Sequence, residues 1–98
     1  VHPYPRYNAY AAAPRTQRRK LPGVLVIHEN RGLNDHIRDV TRRVALAGYF
    51  AVAPDFLSPV GGTPANEDQA REMIGKLDLN AAVSAAVSML GSLKRRTG

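Results

Sequence analysis

The chain has 98 residues, of which 44% are apolar and 22% charged, with a mean hydropathy of −0.29, the composition of one small globular domain. It contains no cysteine, which excludes a disulfide scaffold, a thiolate metal site and a cysteine nucleophile within these residues. The net charge of +6 suggests nucleic acid until it is divided along the chain. Residues 1–20 carry five cations (Arg6, Arg15, Arg18, Arg19, Lys20) and no acid, residues 94–98 add Lys94, Arg95 and Arg96, and residues 21–93 hold six cations against eight acids. Phosphate tracking needs a basic face on a folded element. Here the excess sits at both ends of a mildly acidic body, so the ends are read as solvated and no nucleic-acid partner is expected.

In chain order, residues 1–7 hold two prolines and no amphipathic pattern, an irregular basic lead-in. Asn8 to Ala13 can form a short edge strand, stopped by Pro14, which cannot donate to a ladder. Arg15 to Lys20 is a polar connection. Leu21-Pro22-Gly23 then introduces Val24-Leu25-Val26-Ile27, an unbroken apolar run suited to a strand covered on both faces in a parallel sheet. Its polar end, His28-Glu29-Asn30-Arg31-Gly32, opens a loop. A helix is predicted from His36 to Ala47, with Ile37, Val40, Val44 and Ala47 inward and Arg38, Thr41 and Arg42 outward. Asp35 is placed to cap it and Gly48 to end it. Tyr49 to Ala53 is a second apolar strand, closed by Pro54. Strand, helix and strand form a βαβ unit, which requires a parallel pair.

Asp55 to Pro64 is a Pro- and Gly-rich loop. Asn66 caps the next helix, whose stripe is Ala70, Met73, Ile74 and Leu77. Asp78 caps a last one, expected to bury Ala82, Val83, Ala86, Val87, Leu90 and Leu93. Two buried-type strands cannot satisfy both faces and both edges of a sheet, and a further strand is expected after the last helix. The organisation read here is a lead-in over 1–20, with a possible edge strand at 8–13, followed by a partial α/β domain over 21–98. The isolated chain is expected to be molten and aggregation-prone, or ordered only as an oligomer that pairs its sheet edges. No stretch approaches the ~20 apolar residues that span a bilayer, and no secretory signal is visible, so no membrane contact and a cytoplasmic location are expected.

Sites in parallel α/β sheets lie at the carboxyl ends of the strands. Glu29, directly after the apolar run, is the sharpest candidate. Partial desolvation there would raise its pKa, and Arg31 or His28 would oppose the shift. Its bland alternative is a carboxylate tied to loop amides or to Arg31. His28-Glu29 lacks the second histidine of a zinc-protease motif, since Gly32 stands there, and His2, His28 and His36 have no metal-ligand spacing. No metal and no cofactor are expected. Ser58 lies in a loop, and Ser84, Ser88 and Ser92 recur along one helix as surface residues; no Gly-x-Ser-x-Gly elbow is present. Gly61-Gly62 reads as a plain turn. Arg71 lies off the apolar stripe of its helix, with Glu67 one turn earlier as its bland partner.

Leu-Pro-Gly-Val-Leu-Val-Ile-His-Glu-Asn-Arg-Gly-Leu-Asn at 21–34 is followed by Ile37-Arg38-Asp39-Val40-x-Arg42-Arg43, Ala47-Gly48-Tyr49, Ala53-Pro54-Asp55 and Gly61-Gly62-Thr63-Pro64. This series resembles the dienelactone hydrolase (carboxymethylenebutenolidase-like) family, over roughly residues 8 to 96 and most strongly from 20 to 77. The resemblance implies the N-terminal part of an α/β-hydrolase fold and, in the full-length form, hydrolysis of a small-molecule ester or lactone. It also implies a nucleophile, usually cysteine, in a Gly-x-Cys-x-Gly-Gly elbow beyond the helix at 79–95, with an aspartate and a histidine later still. None of the three is assigned to a residue of this chain, which alone is expected to be inactive. By position, Glu29 matches the glutamate that contacts the nucleophile. The backbone N–H of Asn30 matches an oxyanion-hole donor, and Arg71 matches the arginine that holds a substrate carboxylate. The alternative is a non-enzymatic or degenerate α/β module that binds a second copy or a complementary chain along its open sheet edge.

Overall fold

The computed structural model describes residues 7–15 and 21–97, with side chains as far as Lys94. Most of the basic lead-in (1–6 and 16–20), and the side chains of Arg95 and Arg96, lie outside the described residues. The elements are strand β1 (Ala9–Ala12), strand β2 (Gly23–Leu25), helix α1 (Asp35–Leu46), strand β3 (Phe50–Pro54), a 3₁₀ turn at Ser58–Val60, and helices α2 (Glu67–Gly75) and α3 (Leu79–Thr97).

The sheet runs β1-β3-β2. β2 and β3 are parallel, with Val24 opposite Ala51, as the βαβ pattern requires, and β1 is antiparallel to β3, with Tyr10 opposite Ala53. The edge strand expected at 8–13 is therefore present. β2 is shorter than expected: Val26 still donates to the Val52 carbonyl (2.8 Å), but the chain then leaves the sheet and Ile27 is exposed. β3, paired on both sides and packed against α1, holds the fully buried Ala51 and Ala53.

Two details of α1 correct the sequence reading. Asn34, not Asp35, is the N-cap, its side chain accepting from the Ile37 N–H at 3.1 Å, while Asp35 pairs with Arg38 at 3.0 Å. The buried face is Ile37, Thr41 and Ala45, so Thr41, expected outside, is inside, and Ala47, expected inside, is exposed. Thr41 tolerates burial because its hydroxyl donates to the Ile37 carbonyl at 2.7 Å. Gly48 follows the helix at φ +108°, the left-handed position at which glycine ends helices. Arg42 donates to the Tyr10 hydroxyl at 3.1 Å and lies over its ring, tying α1 to β1; that bond holds the guanidinium above its ordinary pKa.

Asn66 caps α2 through the Gln69 N–H (2.9 Å), and Asp78 accepts from the Ala81 N–H (3.1 Å) at the start of α3, both as expected. The α2 stripe is seated on the fully buried Ala70, with Met73, Ile74 and Leu77 half-buried. The stripe of α3 is seated only in part: Leu93 is buried and Ala82 and Ala86 are half-buried, but Val83, Val87 and Leu90 are exposed, and Ala85, not expected inside, is buried. The helix meets the sheet at its far end, where Leu93 packs so closely on Gly23 that a Cβ there would lie 2.6 Å from Leu93 Cγ. Among the described residues nothing covers Val83 or Val87. No single helix among the described residues is long and apolar enough to cross a membrane.

Candidate active site

The loops that follow the two parallel strands, β2 and β3, meet at the carboxyl end of the sheet, where α/β folds place their sites. They are joined by a buried polar cluster. Asp55, directly after β3, is buried; one carboxylate oxygen accepts from the Leu57 N–H (3.0 Å) and the Thr63 hydroxyl (2.8 Å), the other from the Thr63 N–H (2.8 Å). The same Thr63 hydroxyl accepts from the Leu33 N–H at 2.9 Å. Thr63 thus fastens the first loop to the second. The contact needs Gly32: its φ is +76°, and a Cβ there would stand 2.4 Å from Thr63 Oγ1.

His28 makes the second link. It is buried, its ring packs edge-on against Phe56, and its Nε2 accepts the Phe56 N–H at 3.0 Å. An amide can only donate, so the proton sits on Nδ1, which donates to the Glu29 carbonyl at 2.9 Å. The Gly32 N–H donates to the same carbonyl at 3.2 Å, closing a turn over Glu29–Gly32.

Glu29 and Asn30 sit on that turn, and both are exposed. The expected desolvation of Glu29 is not found, because β2 ends at Leu25 and the chain has already left the sheet. Its carboxylate has no hydrogen bond or ion pair among the described residues. Arg31 instead approaches Glu67 at 3.8 Å. The Asn30 N–H likewise has no acceptor among the described residues. Both residues border an apolar cleft of about 450 Å³ between the sheet end and the helices, walled by Ile27 and Phe56 on one side and by Ile74, Leu77, Val83 and Val87 on the other.

Arg71 is not brought to this cleft. It pairs with Asp68 at 3.1 Å on the exposed side of α2, not with Glu67. Ser58 is structural, donating to the Asp55 carbonyl at 2.6 Å and accepting from the Asn8 N–H at 3.0 Å. Gly61 and Gly62, at φ +106° and +88°, form a turn in which the Gly62 N–H donates to the Leu57 carbonyl. Among the described residues no three His, Asp or Glu side chains gather as metal ligands. Sequence reasoning did not single out Asp55 or Thr63. The available signal was an acid immediately after an apolar strand, ahead of a Gly-Gly-Thr turn that could return to it.

The dienelactone hydrolase family model matches residues 7–96. An Escherichia coli K12 protein provisionally named a hydrolase fragment, YghX, is 55% identical over 69 residues, spanning 70% of this chain and 59% of that protein. A Salmonella typhi protein provisionally named a carboxymethylenebutenolidase is 49% identical over 47 residues, 48% of this chain and 17% of the relative. A crystal structure from Klebsiella pneumoniae, provisionally named a dienelactone hydrolase, superposes at a TM-score of 0.78 and 27% identity, over 94% of this chain and 40% of that one. The chain therefore spans 59% of the first relative's length and 17% of the second's.

Proposed function

The chain belongs to the dienelactone hydrolase family, and on that premise we propose that its Glu29–Gly32 turn is the oxyanion side of a site that hydrolyses a small ester or lactone. The observation that carries this reading is the Asn30 N–H, a backbone donor without an acceptor among the described residues, in the loop after a parallel strand and on the border of an apolar cleft. When a nucleophile attacks the ester carbonyl, the π electrons move onto oxygen. A fixed N–H aimed at that oxygen stabilises the tetrahedral intermediate, whose collapse expels the alkoxide and leaves an acyl-enzyme. Glu29, whose carboxylate on the same turn has no partner among the described residues, stands beside the nucleophile as its activating partner.

No nucleophile is assigned within these 98 residues: cysteine is absent, Ser58 is held in its loop, and Ser84, Ser88 and Ser92 lie exposed on α3. The chain alone is inactive in this reading, and the attacking group comes from outside these 98 residues. Arg71 holds a substrate carboxylate only by leaving Asp68, an exposed pair of the kind worth ~0–1 kcal/mol. No cofactor enters the reaction.

Hydrolysis of p-nitrophenyl acetate tests this. The 98-residue chain gives no turnover, and turnover appears when the part of the Klebsiella protein outside the superposed region is supplied. In that assembly Asn30→Pro, which deletes the N–H at a turn position suited to proline, lowers kcat by ~10²–10³-fold. Asn30→Ala leaves kcat unchanged, because only the backbone is used. Turnover by the pure chain that a point change in it abolishes, or an Asn30→Pro assembly as active as the parent, overturns the proposal.

A second reading has its own observation. The outer edge of β2 is unpaired among the described residues, and the α3 stripe beside it is exposed. A non-catalytic module would use both to bind a second copy. A tight dimer by sedimentation, together with failure of complementation, would favour it.

A further inference from the structure

Among the described residues, the peptide that joins Glu29 to Asn30 is held by its oxygen alone. Its carbonyl accepts from His28 Nδ1 at 2.9 Å and from the Gly32 N–H at 3.2 Å, and its own N–H, that of Asn30, bonds to nothing described. No peptide bond among the described residues is cis. In a trans peptide the C=O and N–H point in opposite directions, so whatever fixes the carbonyl also fixes the N–H. The His28 ring lies in the interior, against Phe56, and draws the carbonyl inward. The Asn30 N–H is thereby turned outward.

We propose that His28 is a positioning residue that, through its Nδ1–H bond to the Glu29 carbonyl, sets the plane of the Glu29–Asn30 peptide and aims the Asn30 N–H. Two features make it fit for this. The Phe56 N–H on Nε2 dictates which nitrogen carries the proton, so the ring presents a donor to Glu29 and never an acceptor. That amide also belongs to the segment after β3, so the aim of the first loop is referred to the central strand of the sheet. The Gly32 bond closes the turn, but at 3.2 Å it is the longer of the two, and it moves with the turn it closes. The catalytic consequence rests on Asn30 being the oxyanion donor; the positioning itself does not.

The experiment is done on the whole chain, isotopically labelled, by NMR. In the unmodified protein, ¹⁵N shifts place the His28 proton on Nδ1, and a scalar coupling crosses the hydrogen bond from Nδ1–H to the Glu29 carbonyl. Residual dipolar couplings report the Asn30 N–H direction. His28→Asn, whose amide NH₂ stands near the Nδ1 position, keeps the Asn30 coupling. His28→Phe, similar in bulk but without a donor, shifts it, while couplings of Thr41, Val52 and Ala53 stay as they were. A proton on Nε2, or an Asn30 coupling unchanged in a folded His28→Phe protein, overturns the proposal. If the Phe variant does not fold, the tautomer and the through-bond coupling of the unmodified chain decide. An Asn30 N–H aimed in this way, in an assembly that hydrolyses no ester, would overturn the function proposed above and leave the role of His28 standing.

Discussion

Ala51, Ala53 and Leu57, in and after β3, and Thr41 on α1 have no surface exposed to solvent, whereas Val83, Val87 and Leu90 on α3 are 61%, 63% and 50% exposed. Both regions carry the apolar spacing of buried elements. They differ in what lies opposite. β3 is paired on both edges and packed by α1, and the loop after it is closed by the Asp55–Thr63 bonds. α3 buries Ala85 and rests Leu93 on Gly23, but among the described residues nothing lies over Val83 or Val87. Amphipathic spacing records that a helix has a face suited to burial. It does not supply the surface that buries it.

Substitutions in the two regions should therefore have unequal effects. Leu57→Ala removes a fully buried side chain from the closed region and should destabilise the chain by ~2–5 kcal/mol in chemical denaturation. A loss well under ~1 kcal/mol would mean that this region is no more of a core than α3. Gly32→Ala puts a Cβ against Thr63 Oγ1 at a φ of +76° and should cost about 1–3 kcal/mol. It should also release the Leu33 amide from Thr63, visible as faster hydrogen exchange at Leu33 than in the parent. Val87→Ser, on the exposed stripe, should change stability by no more than ~0.5 kcal/mol. A loss of ~1 kcal/mol or more would show that a second chain covers Val87 in solution, and sedimentation of the variant would then show a smaller species than the parent.

The parts of the fold that were legible are those settled within a few residues. The Asn66 and Asp78 caps, the left-handed Gly48 after α1 and the parallel β2–β3 pair follow from short-range residue chemistry and from the chain order strand, helix, strand. The α1 cap shows the limit. Asn34 and Asp35 are both good caps, and the choice fell to Asn34, which follows the turn that Gly32 and Thr63 hold in place. Thr41 reads as polar in a sequence, but the Ile37 carbonyl one turn back satisfies its hydroxyl, so burial carries little penalty. Arg31 lies near Glu29 in sequence and was the natural partner for it; in space its partner is Glu67.

The sequence by itself determined the order of elements, the polar loop at the end of the first parallel strand, the absence of a cysteine nucleophile, and motifs specific enough to point to the dienelactone hydrolase family. Each of these depends on residue identity and short spacings. Only the tertiary structure decided that the Glu29 carboxylate stands in solvent, that His28 carries its proton on Nδ1, that Asp55 and Thr63 join the two loops, and that α3 leaves its stripe uncovered. Those outcomes turn on partners 28 and 30 residues apart, as in the bonds of His28 to Phe56 and of Thr63 to Leu33. A hydrogen bond forms only where folding brings a donor and an acceptor to within about 3 Å, and local spacing does not determine which distant surfaces will meet.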